Sequence, residues 1–170
     1  MIFTKFLNTS TKPMKKSLFL FSVILFVISH TSFAQVNVGD SKRWIKIVLN
    51  TRSMKQNSTQ SETDSSYTFN VRGKYSPEEL YFKFDNSNNC IYQKWTFDCD
   101  TCFHNELKSI LGKSRYKWKS SAKGEHLSRS SKQLLMKVDE SKQFFTITQL
   151  YMREKDYLAM YDKATAIPAN

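Results

Sequence analysis

The sequence predicts a single α+β domain: an antiparallel sheet with helices packed on one face, in the order αβββαβββ. Three observations carry this. Six short segments alternate apolar and polar residues at period two, the pattern of strands that bury one face only. Two segments repeat apolar residues at helical spacing, one ahead of each group of three strands. The links between neighbouring strands are short and rich in Asp, Asn and Ser, which favours hairpins. Helices over one face of an antiparallel sheet then bury both sets of apolar residues at once.

The first helix is expected over residues 40–54. Gly39, Asp40 and Ser41 supply an N-cap, and Trp44, Ile45, Val48 and Leu49 fall at helical spacing. Residues 55–66 hold no apolar side chain and read as a flexible, solvated loop. Three strands follow. Tyr67, Phe69 and Val71 alternate with Thr68, Asn70 and Arg72; Leu80, Phe82 and Phe84 alternate with Tyr81, Lys83 and Asp85; Ile91, Trp95 and Phe97 share a parity opposite Tyr92, Lys94 and Thr96. The cluster Asp85, Asn86, Ser87, Asn88, Asn89 makes the last two a hairpin.

A second helix should begin near Asp100 or Thr101, because Phe103, Leu107, Ile110 and Leu111 lie on one stripe, and Gly112 is placed to end it. Strands are then expected over 115–119, 132–139 and 144–151, the last two joined through Asp139, Glu140, Ser141 and Lys142. Residues 120–131 read as a polar loop and 154–163 as a short terminal helix. The elements thus repeat one αβββ unit, without residue-level identity between the halves.

Ahead of this domain stands a segment with the parts of a cleavable signal peptide. Lys15 and Lys16 precede an apolar run over 18–28, and Ser32 and Ala34 supply small residues before Gln35. The run extends only about 16 Å as a helix, against a hydrocarbon core of about 30 Å, so it is too short to span. Residues 1–34 are therefore assigned as signal peptide, with Met14 an alternative start, and 35–170 as one domain. Cleavage removes Lys5, Lys12, Lys15 and Lys16 and no acid, which lowers the formal net charge from +11 to +7. The expected product is soluble, periplasmic or secreted, without a membrane span after cleavage.

Val38, Gly39, Asp40 and Ser41 followed by Ile45, Val48 and Leu49 resemble the start of small exported domains of the outer-membrane small-protein-A class, whose fold is similar to the β-lactamase-inhibitor protein. The resemblance covers about twelve residues and the order of elements. It implies a protein-binding module of the cell envelope, and it carries over no functional residue. The chain departs from the lipoprotein members of that class in having Gln35 where a lipidated cysteine would stand.

The chemically distinctive cluster is Asp98, Cys99, Asp100, Thr101, Cys102, Phe103, His104. A Cys-x-x-Cys at a helix N-terminus is where thiol–disulfide proteins stabilise a thiolate. Against that reading, the upstream elements are consecutive strands rather than βαβ, no proline follows before Pro168, and the flanking acids oppose a thiolate. Covalent haem attachment needs His directly after the second Cys, where Phe103 stands. A metal site on Cys99, Cys102, His104 and an aspartate has plausible donors but lacks the second, well-separated ligand pair that structural zinc sites draw on. The exported location favours a disulfide between Cys99 and Cys102. Cys90 is the third cysteine, about 30 Å from Cys99 along one extended strand, and is expected to be a free thiol.

Arg115, Lys117, Lys119, Lys123, Arg129 and Lys132 form a candidate patch for an anionic surface ligand. Alternation with Tyr116 and Trp118 gives the same pattern from a solvated strand face, and export removes nucleic acid as a partner. Beyond residue 34 there are two histidines, His104 and His126, and no glycine-rich phosphate loop, so no hydrolytic constellation is legible and no cofactor or metal is expected. The functional expectation is an exported, non-enzymatic binding module that meets an envelope protein or anionic ligand through a sheet face or the 120–131 loop. The alternative is a small periplasmic thiol–disulfide redox protein acting through Cys99 and Cys102.

Overall fold

The segments that alternate at period two join one nine-stranded sheet. The computed structural model describes residues 36–53, 58–71, 77–130 and 132–167, so the assigned signal peptide lies outside the described residues. The elements are α1 (Lys42–Ser53), β1 (Ser58–Glu62), β2 (Ser66–Val71), β3 (Glu79–Phe84), β4 (Cys90–Thr96), α2 (Asp100–Leu111), β5 (Trp118–Ala122), β6 (Glu125–Arg129), β7 (Gln133–Asp139), β8 (Phe144–Gln149), α3 (Glu154–Lys163) and β9 (Thr165–Ala166). All pairings are antiparallel, in the order β1-β2-β3-β4-β8-β7-β6-β5-β9. Each half is a helix followed by a four-strand meander, and the meanders meet where β4 pairs β8.

This corrects the expected αβββαβββ order. The segment read as a loop over 55–66 contributes β1, a polar strand that needs no apolar face because it sits at the sheet edge. Backbone pairing to β2 holds it, and Lys42 and Lys46 of α1 both reach its Glu62. Residues 120–131 are not a loop either: β5 and β6 pair as a hairpin turning at Gly124, whose φ of 71° only glycine adopts freely. The strand expected over 115–119 starts late, at Trp118, because Lys117 takes a left-handed φ of 48° at the end of a turn.

Helices on one face is likewise corrected, by the register. Leu80, Trp95, Phe145 and Val138 are direct cross-strand partners, as are Tyr67, Phe82, Gln93, Ile147, Met136 and His126, so these share one face. Helix α1 covers that face at one end: Ile45 and Leu49 are buried, and Lys42 and Lys46 lie over the rings of Phe84 and Tyr67. Helix α2 covers it at Phe97, whose ring contacts both Phe103 and Phe145. Leu127 has the opposite parity, and on it α3 packs Tyr157 and Tyr161, with Ala164, Leu135 and Leu150 completing a second cluster. Helices therefore stand on both sides of the sheet. Each large core residue, such as Trp95, Phe82 or Phe145, contributes roughly 1.5–3 kcal/mol on burial.

Helix ends follow local chemistry. Ser41 caps α1 by accepting from the Trp44 N–H at 3.3 Å. Gly112 closes α2, yet its φ of −73° is right-handed, so the glycine is not used there for conformational freedom. In the β3–β4 turn the Asp85 carboxylate accepts from the Ser87 and Asn89 amides, and in the β7–β8 turn Asp139 accepts from Ser141 Oγ and the Lys142 amide. Among the described residues no helix is long and apolar enough to cross a membrane.

Candidate functional site

Strand β4 runs through buried Phe97 into a corner made by Asp98 and Cys99. Cys99 has the extended backbone of an N-cap, and its sulfur accepts from the Cys102 N–H at 3.2 Å, the role usually filled by Ser or Asp. The two cysteines are joined as a disulfide, with Cα atoms 5.2 Å apart. His104 Nδ1 lies 2.9 Å from the Asp100 carbonyl oxygen and 3.3 Å from its carboxylate. Both sulfurs are engaged with each other rather than with a cation. Among the described residues no three His, Cys, Asp or Glu side chains converge on a metal position.

Cys90 is a free thiol, and it is fully buried. Residues 36–40 cross the start of β4, where the Gly39 N–H donates to the Cys90 carbonyl at 2.6 Å and the Cys90 N–H to the Asp40 carbonyl at 2.9 Å. With Val36 and Val38 also buried, this segment seals the thiol, which donates to the Tyr92 carbonyl at 3.4 Å. Burial pushes it up to about 12.

The six cations of the candidate basic patch fall on β5, β6 and the turns beside them. Arg115 stands in the turn before β5, stacked on Tyr116 and donating to Asn37 Oδ1 at 2.8 Å. Lys119 lies on the α3 side, 4.4 Å above the Tyr161 ring and donating to the Tyr161 carbonyl at 3.3 Å. Lys117 and Lys123 are exposed in turns, and Arg129 ends β6. Lys132 reaches the other way, to lay its stem against Gly39.

A different surface is contiguous. On the sheet face opposite the α1 and α2 core, β3, β4 and β8 present Tyr81, Lys83, Tyr92, Lys94, Phe144, Thr146 and Thr148, with Tyr92 opposite Thr148 and Lys94 opposite Thr146. Tyr81 and Tyr92 meet edge to face with centroids 6.1 Å apart. The Lys83 ammonium lies 5.6 Å over the Tyr92 ring, and that of Lys94 lies 4.7 Å over the Phe144 ring. Neither lysine has a carboxylate partner among the described residues. Helix α3 packs on the same face over β5 and β6 and reaches Leu135 of β7 and Leu150 beyond β8, whereas Tyr81, Lys83, Tyr92 and Lys94 lie outside that cluster. Glu79 marks its margin, and Lys137 on β7 is neutralised by Glu125 at 2.8 Å.

A wide groove of about 680 Å³ lies beyond the β7 and β8 ends, past Lys132, Gln133, Gln149, Tyr151 and Met152. It is open to solvent, and its Arg153 is paired with Asp156 at 2.7 Å. No family model matches the chain, and neither a curated protein nor a solved structure does.

The aromatic and cationic face is legible after the fact. Alternation assigns Tyr81, Lys83, Tyr92 and Lys94 to the outward side, and two tyrosines on a side that should be polar are the signal. The exposed face of α1 carried a weaker one: Trp44 is 50% exposed because Ile45 and Leu49 take the inward positions.

Proposed function

We propose that the chain is an exported binding module of the cell envelope, and that the open face of β3, β4 and β8 receives an acidic protein surface. The observation that carries this is the pair of lysines lying on aromatic rings, without carboxylate partners among the described residues, on the sheet face opposite the α1 and α2 core. Aromatic rings flanked by cations bind by apolar contact and by charge together, and a partner carboxylate can approach each ammonium from its open side. The likeness of residues 38–49 to exported envelope domains, and the signal-peptide pattern before Gln35, support the location.

A net positive chain binds polyanions weakly wherever its cations lie, so the test must be positional. With poly-L-glutamate as probe, Lys94→Glu and Tyr92→Ala are expected to weaken binding by about tenfold each, whereas Lys123→Glu and Arg129→Glu change it by less than about threefold. Equal losses in all four variants would assign the binding to net charge alone. The mature N-terminus, read by mass spectrometry, is expected at Gln35.

A further inference from the structure

The three cysteine sulfurs in this chain differ in their access to solvent. Cys90 is sealed beneath residues 36–40, whereas Cys99 and Cys102 are each partly exposed at the corner where β4 hands over to α2. We propose that Cys99 and Cys102 form an exchangeable dithiol–disulfide pair in which Cys99 is the attacking sulfur and a disulfide of another exported protein is the substrate. This goes beyond the binding surface and rests on none of its residues.

The geometry distinguishes the two sulfurs. Cys99 is the N-cap of a twelve-residue helix and takes the Cys102 N–H directly, at 3.2 Å. Once the disulfide is reduced, negative charge on Cys99 stands at the positive end of α2 with a donor already aimed at it. Cys102 lies inside the first turn, 5.2 Å away between Cα atoms, close enough to resolve a bond formed at Cys99. The acids beside the motif oppose a thiolate but act through water. Asp98 is exposed, and the Asp100 carboxylate is turned to His104 at 3.3 Å. Direct contact with the Cys102 amide outweighs charges that solvent screens.

The exchange balances without a metal or cofactor. The Cys99 thiolate attacks one sulfur of the substrate disulfide, forming a mixed disulfide and releasing the other substrate sulfur as a thiolate. The Cys102 thiolate then attacks Cys99 Sγ, re-forming the Cys99–Cys102 bond and releasing the second substrate sulfur. Two electrons pass to the substrate, and the two thiol protons of the reduced pair reach its sulfurs through solvent. Reduction of the pair by a dithiol protein is the same sequence in reverse.

Ellman's reagent serves as the disulfide probe on the full chain at pH 7. Cys99 in the Cys102→Ser variant is expected to react about tenfold faster than Cys102 in the Cys99→Ser variant. In the wild type, dithiothreitol is expected to open the disulfide while Cys90 stays unlabelled, since the buried thiol reports that the fold is intact. Rates within about threefold of each other, or a disulfide that opens only when Cys90 is exposed too, would overturn the proposal. Should either variant expose Cys90 and so prove unfolded, a brief iodoacetamide pulse on the reduced wild-type chain gives the same Cys99 to Cys102 ratio by peptide mapping, judged by the same limits.

Discussion

The Lys94 ammonium lies 4.7 Å above the Phe144 ring, across the junction where the two meanders of the sheet meet. The contact joins residues fifty positions apart, reaching from Lys94 in the middle of the β4–β8 register to Phe144 at its end. Lys94 has no carboxylate partner among the described residues, whereas Lys137 nearby is neutralised by Glu125. Exposed cation–π pairs contribute about 0.5–1 kcal/mol, so Lys94→Gln should lower stability in urea by no more than that while reducing binding clearly. A loss of several kcal/mol would make Lys94 a structural residue instead.

Gln93 gives a prediction of the opposite sign. It is 2% exposed, flanked by Phe82 and Ile147 across the sheet, and its side-chain carbonyl oxygen has no partner among the described residues. A buried acceptor left unpaired costs about 1–3 kcal/mol. Gln93→Leu keeps the volume and is expected to raise the urea midpoint, corresponding to roughly 1 kcal/mol. A lower midpoint would show that the amide makes a contact worth more than its burial costs.

Tyr157 supplies the polar anchor of α3. Its hydroxyl accepts from the Ser128 N–H at 3.0 Å and shares its proton between the Ser128 and Leu134 carbonyls at 2.7 and 2.9 Å. Tyr157→Phe keeps the ring in the Leu127 cluster and strands three backbone groups of β6 and β7. The expected cost is about 1–3 kcal/mol in denaturant unfolding, with m unchanged.

Cys90 sets an alkaline limit. Its thiol is held neutral by burial up to about 12, against the 9.0 ordinary for a cysteine thiol. Between those limits the unfolded chain has lost this proton and the folded chain has kept it. Stability is therefore fully present below about pH 9 and falls as pH rises toward 12, by roughly 1 kcal/mol per pH unit from this group. Cys90→Ala should flatten that slope relative to wild type, read as unfolding free energy at several pH values between 9 and 11. An unchanged slope would assign the loss to other groups, such as Tyr67, which burial also pushes up to about 12.

Gly124 tests the hairpin that a polar sequence conceals. Its φ is 71°, and a Cβ there would stand 2.8 Å from the Val138 carbonyl oxygen, a backbone atom that cannot step aside. Gly124→Ala should cost about 1–3 kcal/mol, measurable as a lower melting temperature. A neutral result would mean that the β5–β6 turn relaxes without straining β7.

Much of the sheet is legible in the sequence because apolar side chains alternate where both neighbours are strands. Tyr67, Phe69, Val71, Leu80, Phe82 and Phe84 all bury as the period requires. What alternation cannot mark is a strand with little to bury. β1 is Ser, Thr, Gln, Ser, Glu at an edge, held by its ladder and by lysines arriving from α1. β6 has a single fully buried apolar side chain, Leu127, and it points away from the main core. The same reversal hides the placement of α3, since Tyr157 and Tyr161 show that the helix has an apolar stripe without saying which side of the sheet receives it. The Cys99 to Cys102 pairing follows from local spacing and needs no tertiary knowledge. The candidate cations from Arg115 to Lys132 fall on β5, β6 and the turns beside them, whereas Lys83 and Lys94 come from strands whose adjacency depends on pairing.

The central claim, that an acidic partner meets the β3, β4 and β8 face, is tested most directly by mapping backbone amide shifts during titration of the chain with poly-L-glutamate. The account predicts shifts concentrated at Tyr81, Lys83, Tyr92, Lys94, Phe144 and Thr146, diminishing with Lys94→Glu. Shifts centred on Lys117, Lys123 and Arg129, or spread evenly over every surface lysine, would contradict it.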